Sequence, residues 1–222
     1  MLAGWGAPDA EPSCPAPATI SATPMRLLAI DTATPRPSLA LVVDGSEPWT
    51  VELPQKGAEA LAPAISSLLV SAGASPRDLD RIAVVSGPGS FTGLRSSLAF
   101  ARGLARAAGA LLVPLPTFEV VSAAVPAPPD ADLLLDALRG EVHRRRRRKG
   151  HLAPAEDRVA RSEALEDAVR DGVPVLDVDA VAVLLAPAAA GLAANAAPDG
   201  TAGLLYGRPP AAEERFGPGG AG

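Results

Sequence analysis

A chain of 222 residues can bury the core of one large domain or two small lobes, and 48% hydrophobic residues with a formal charge of −5 describe a soluble, globular protein. That charge excludes a generic polyanion binder, and Cys14 standing alone excludes an intramolecular disulfide framework. No uninterrupted apolar run reaches about 18 residues, so no transmembrane helix is expected. Asp9 and Glu11 replace the basic start of a secretory signal, and the expected compartment is the reducing cytoplasm.

Residues 1–24 are rich in Ala, Pro and Gly without periodicity, and are expected to be a disordered extension. Met25 stands directly before the β pattern Arg26-Leu27-Leu28-Ala29-Ile30-Asp31, as if it were the biological start. Strands are expected at 26–31, 38–43 and 48–53, with Asp44-Gly45 as a two-residue hairpin turn between the last two. A helix is expected over 57–72, with Leu61, Ile65, Leu68 and Leu69 on one side. Strand 82–85, helix 92–108 and a short strand 111–114 ended by Pro114 follow. Thr117 is the expected N-cap of helix 118–124. The order βββαβαβα predicts a mixed sheet covered by helices.

Pro126 to Pro129 is a breaker cluster, and it divides the chain into a first lobe, 25–126, and a shorter second lobe, 127–222. The pattern restarts with strand 131–137, turn 138–140 and a strand from Glu141, then degrades into Arg144, Arg145, Arg146, Arg147 and Arg148, where a strand should alternate. A helix at 162–171 capped by Ser162, a strand at 173–177 and a helix at 179–194 complete the lobe. A mobile tail is expected to follow.

The chemistry-bearing stretch is Ser86-Gly87-Pro88-Gly89-Ser90-Phe91-Thr92-Gly93-Leu94-Arg95, a strand end, a Gly-rich turn and a helix start. Gly87 and Gly89 permit backbone angles closed to other residues, and Ser90 or Thr92 can cap the helix. Such a turn can hold an anion on backbone amides, or it can be a tight turn with close helix–sheet packing. Arg95 in the first helical turn works against the helix dipole, which points to an anion nearby or to a side chain bent toward solvent. Asp31, followed by Thr32, can hold a metal–phosphate group or cap its own turn. Pro35 and Pro37 remove two donors that a phosphate loop needs, which favours the cap.

No P-loop, no Ser-His-Asp arrangement and no metal-ligand spacing occurs. His143 and His151 lie eight residues apart with no cysteine to complete a zinc site. Asp136 and Glu141 flank a turn and read as solvated hairpin acids. The run Arg144 to Arg148 can contact nucleic-acid phosphate, or solvate an edge strand and block sheet-to-sheet pairing.

Four segments carry a resemblance. Met25 to Thr34, Gly87 to Arg95, Asp136-Ala137 with Arg139-Gly140-Glu141-Val142, and Leu205-Tyr206-Gly207-Arg208-Pro209 resemble, in order, the motifs of the TsaB (YeaZ) family, an accessory subunit of bacterial tRNA threonylcarbamoyladenosine biosynthesis. The chain departs from the third motif at Leu138, where the family has Arg.

The resemblance implies an actin-like ATPase (ribonuclease H-like) α/β fold of two βααβ-type lobes with mixed sheets, the second reduced. It implies a non-catalytic partner of a TsaD-like subunit, which transfers threonylcarbamoyl to adenosine 37 of ANN-decoding tRNAs, with a TsaE-like ATPase joining them. The chain itself would meet tRNA indirectly and form a homodimer when alone. Asp31, Thr32, Gly87 and Gly89 would line a degenerate nucleotide cleft, with ATP or ADP at the complex interface.

The H-x-x-x-H pair of metal-bearing relatives is missing from helix 57–72, where Gly57 and Leu61 stand instead. No catalytic and no metal-binding residue is therefore assigned. The first-lobe helices would form the dimer interface through Leu61, Ile65, Leu94, Arg95, Leu98 and Arg102. On that reading Leu98→Asp breaks the complex and spares the fold.

Overall fold

Arg26–Asp31 is buried at five of its six residues, so both faces of this strand must be covered. It is the middle strand, β1, of a five-stranded sheet. The computed structural model describes residues 25–54, 59–180 and 184–195. The expectations for the 1–24 extension, for the start at Met25 as against Met1, and for the 205–209 motif and tail fall on residues outside that range.

β2 (Ser38–Val43) runs antiparallel to β1, with Leu28 opposite Leu41. Asp44 and Gly45 both take positive φ, 56° and 70°, as the tight hairpin turn into β3 (Trp49–Glu52) requires. β4 (Arg81–Val85) and β5 (Leu111–Leu115) lie parallel to β1 on its other side, giving the order β3-β2-β1-β4-β5. Pro114 does not end β5 as expected. It sits inside the strand opposite Val84, where the sheet edge tolerates a missing N–H.

The two faces of this sheet differ in side-chain size, and that decides what covers each. Leu28, Ile30, Leu39, Leu41, Ile82 and Val84 lie under α1 (Leu61–Ser71) and α2 (Phe91–Ala108). Ala29, Ala40 and Ala83 face the other way, toward α3 (Thr117–Ala124) and the alanine-rich α5 (Ala186–Ala194). Methyl groups on both sides let α5 approach closely. Arg81 Nη1 donates to the Ala193 carbonyl at 2.8 Å, and the Ala186 N–H donates to Ser38 Oγ at 3.3 Å. A helix from the second half of the chain thus covers the first sheet.

The second sheet has the order β10-β6-β7-β8, with β9 also on β7: β6 (Ala131–Asp136), β7 (Glu141–Arg148), β8 (His151–Leu152), β9 (Asp157–Ala160) and β10 (Val175–Asp177). It repeats the first in outline, since β7 is antiparallel to β6 as β2 is to β1, and β10 is parallel to β6 as β4 is to β1. The arginine run does not degrade this sheet as expected. All five arginines lie in β7, a central strand, with Leu134 opposite Arg144 and Leu133 opposite Arg145.

Four further expectations are corrected. The Thr117 residue is the first of α3, preceded by Pro116 at the cap, and α4 (Arg161–Asp171) is preceded by Ala160 rather than capped by Ser162. The single helix 179–194 is instead a 3-10 turn at Val178–Ala180 and the separate α5, with 181–183 outside the described residues. Helix 57–72 begins at Leu61 among the described residues. The β3-β2-β1-β4-β5 order, with helices on both faces, is the expected actin-like (ribonuclease H-like) α/β fold.

Candidate functional site

The end of β1 and the Gly-rich turn meet as two backbones in contact. The Ser90 N–H donates to the Ala33 carbonyl at 2.8 Å, and Thr32 Oγ1 donates to the Gly93 carbonyl at 2.8 Å. A Cβ on Gly89 would lie 2.4 Å from the Ala33 oxygen, and one on Gly93 would lie 2.1 Å from the Thr32 oxygen. The glycines are therefore demanded by this close approach. Gly87, at φ 113°, accepts from the Thr117 N–H at 2.8 Å, and Thr117 Oγ1 donates to the Pro88 carbonyl at 2.6 Å. Ser90 Oγ caps α2 by accepting from the Gly93 N–H at 3.3 Å.

Asp31 is fully buried and caps its own turn. Its Oδ1 accepts from the Ala33 N–H at 2.8 Å and its Oδ2 from Thr34 Oγ1 at 2.7 Å. Burial pushes the carboxyl up to about 6, against the opposing pull of those hydrogen bonds. Asp31, Thr32, Gly87 and Gly89 are thus brought together, but the set does not fit a nucleotide phosphate. The carboxylate oxygens are engaged, the Ser90 N–H is given to Ala33, and Pro35 and Pro37 offer no donor.

The arginine run is held by carboxylates from four elements. Arg144, 5% exposed, reaches Asp157 at 2.5 Å and Asp167 at 2.8 Å. Arg146 meets Asp167 at 3.3 Å and Asp171 at 3.2 Å, and Arg148 meets the buried Asp132 at 3.0 Å. On the opposite face of β7, Arg145 donates to the Ala153 carbonyl at 2.5 Å and lies 3.4 Å from Glu119. Arg147 Nε donates to the Gly150 carbonyl at 3.3 Å. The strand alternation survives because arginine stems pack while most of their heads find partners, the buried Arg147 Nη1 being left without one. The expectation of a solvated edge is corrected, since β7 is a central strand, and Arg144, Arg145, Arg146 and Arg148 each meet a carboxylate within the chain. The signal available in the sequence was Asp167 and Asp171, four apart on one side of the helix expected at 162–171.

The histidines do not pair, His143 being buried in β7 and His151 exposed in β8. Asp136 Oδ2 caps its turn by accepting from the Leu138 N–H at 3.3 Å, and Glu141 pairs with Arg158. Among the described residues no three His, Cys, Asp or Glu side chains gather to hold a metal.

The proposed interface set divides by burial. Leu61, Ile65, Leu94 and Leu98 are 1–3% exposed and pack on the sheet, so they are not on an outward face. Helical spacing found the apolar stripe, but the sheet takes that stripe. Arg95 and Arg102 do point outward. Residues missed are Phe91, 44% exposed with its ring 5.2 Å from the Arg95 guanidinium, the outward Arg106, and Val70 at 72% on α1. Phe91, Arg95, Ala99, Arg102 and Arg106 follow one another at helical spacing, a signal legible in the sequence.

With this geometry in place, comparison with known proteins is informative. The family model described as "TsaD: tRNA N6-adenosine threonylcarbamoyltransferase" matches residues 54–184, more than half of the chain. The TsaB protein of Escherichia coli is 43% identical over 82 residues, 36% of each chain, and that of Haemophilus influenzae 36% identical over 92 residues. The chain belongs to the TsaB (YeaZ) family. Its alignments span 36% and 39% of those two TsaB proteins' lengths. In fold, this TsaB-family chain is similar to an uncharacterized protein with similarity to peptidase YeaZ from Pseudomonas aeruginosa. That match has a TM-score of 0.67 at 23% identity and covers 83% of this chain and all of the other. YeaZ from Pseudomonas aeruginosa matches at TM-score 0.61 and 23% identity, over 77% and 91% of the two chains.

Proposed function

We propose that this chain is a non-catalytic subunit that pairs with a TsaD-type transferase and activates it for N6-threonylcarbamoylation of adenosine 37 in ANN-decoding tRNAs. On this reading a TsaE-type ATPase joins the pair and the assembly works in the cytoplasm. The observation that carries the reading is the 43% identity to the Escherichia coli protein named for tRNA threonylcarbamoyladenosine biosynthesis. The site chemistry supports a partner role. Asp31 is spent on its own turn, and both histidines of the chain lie on β7 and β8, away from α1. What the first lobe offers outward is the two-helix face of α1 and α2.

The test is a threonylcarbamoylation assay with TsaD- and TsaE-type proteins of the same genome, run with and without this chain, beside a pull-down. Modification that depends on the chain, together with a stable complex, is the expected result. A second reading draws on the family model, whose printed description is that of a transferase. It predicts turnover by the isolated chain that is lost in Asp31→Ala, and such turnover would overturn the non-catalytic role.

A further inference from the structure

The second sheet repeats the first in its strands as far as β10, but not in its helices. In the first lobe α1 lies over β2 and β3, and α2 lies on the same face over β4 and β5. In the second lobe α4 lies over β7 and β9, the counterparts of β2 and β3. The 3-10 turn and α5 that follow β10 pack into the core shared with the first sheet instead. Among the described residues, then, β10 is an edge strand, and the side of α4 toward it has no second helix beside it.

The side chains at that open place are apolar. Arg161, at the start of α4, pairs with Asp177 of β10 at 2.8 Å, which marks the β10 side of the helix. Leu165 stands one turn on along that side and is exposed, and Val169, one turn further, is 82% exposed. Val175 of β10 is exposed too, aligned with Asp132 and therefore on the α4 face of the sheet. The other side of α4 is engaged, because Asp167 and Asp171 hold Arg144 and Arg146. Of the outward charges, Arg170 is held by Asp167. Glu163 and Glu166 are exposed and make no hydrogen bond or ion pair among the described residues, although Glu163 acts on Arg144 through space.

We propose that the β10 side of α4 receives a helix from a partner protein, apolar on its docking side and flanked by Lys or Arg, in the place that α2 takes in the first lobe. This surface belongs to the second lobe, apart from the first-lobe face named above, so failure of that pairing leaves it standing. The internal repeat supplies the shape: a helix laid beside α4 over β10 restores the two-helix cover that the first sheet has. Leu165, Val169 and Val175 give it apolar contact, and the unpaired glutamates select a basic flank. A second copy of this chain offering the same face would set those glutamates against each other.

The test uses the full chain and two labelled amphipathic peptides of about 20 residues, long enough to be helical when bound. Both carry one leucine stripe, flanked by arginine in the first and by glutamate in the second. By fluorescence anisotropy the arginine peptide should bind at least tenfold more tightly than the glutamate peptide, and should weaken from about 50 to about 500 mM NaCl. Leu165→Ser/Val169→Ser should cost at least tenfold, and Glu163→Lys/Glu166→Lys should invert the preference between the peptides. All four positions are exposed, and circular dichroism checks folding. Amide shifts on adding the arginine peptide should centre on Leu165, Val169 and Val175.

A chain ending at Asn195 separates a partner from the C-terminal residues of the same chain. Equal affinity with and without those residues supports a partner helix, and binding gained only on their removal overturns it. No binding of the arginine peptide, equal binding of the two peptides, binding that survives the serine substitutions, or amide shifts centred elsewhere also overturns the proposal.

Discussion

Asp31 shows how a residue with the makings of a catalytic group is put to structural use. Its carboxyl titrates near 6 in the folded chain and nearer the ordinary 3.8 when unfolded, so the folded state binds the proton more tightly. Stability attributable to this group is therefore full at low pH and falls as pH rises from about 4 to about 6, by on the order of 2–3 kcal/mol. Asp31→Asn keeps an acceptor for the Ala33 N–H and removes the charge. The difference between wild-type and Asp31→Asn urea midpoints should thus shift in favour of the variant between pH 4 and pH 7. Gly89 is a second case: Gly89→Ala places a methyl 2.4 Å from the Ala33 oxygen and should cost roughly 2–4 kcal/mol by the same measurement.

At the scale of elements, β7 shows that a run of one charged residue type can be a strand when its neighbours supply the opposite charge. Asp167 is the hub, bound by Arg144 and Arg146 and also by Arg170. Asp167→Ala leaves the nearly buried Arg144 short of one partner and should destabilise the protein by about 2–4 kcal/mol in chemical unfolding. Glu52→Ala, which breaks the exposed Arg36–Glu52 pair, should leave the midpoint nearly unmoved. The α5 helix makes the complementary case with small residues. Ala190 is 1% exposed against the alanine face of the first sheet, so Ala190→Leu should cost about 1–3 kcal/mol through overpacking.

At the scale of the molecule, two similar sheets are joined through one core that contains β1, β4, α3, β6 and α5. The side of the first sheet away from that core carries α1 and α2, so their outer surfaces are what the first lobe presents there. This inverts the expectation for Leu98→Asp. Leu98 is 3% exposed in the core, and the substitution should lower the melting temperature sharply, so a lost complex would follow from lost folding. An exposed substitution such as Arg95→Glu is the one that separates docking from stability.

The sequence by itself determined the elements with strong local codes. Alternating or continuous apolar runs gave β1, β2 and β4, Asp44-Gly45 gave the hairpin, and the Gly-Pro-Gly turn into a capped helix gave α2, because each depends on backbone preference and side-chain period alone. The family motifs were legible for the same reason. Tertiary structure decided which stripe of α1 and α2 the sheet would claim, since period marks an apolar side without saying what covers it. It also decided the arginines of β7, whose partners arrive from as far as 26 residues away, and the return of α5 to the first sheet. Those outcomes rest on size and charge matching between segments distant in sequence, which no local window contains.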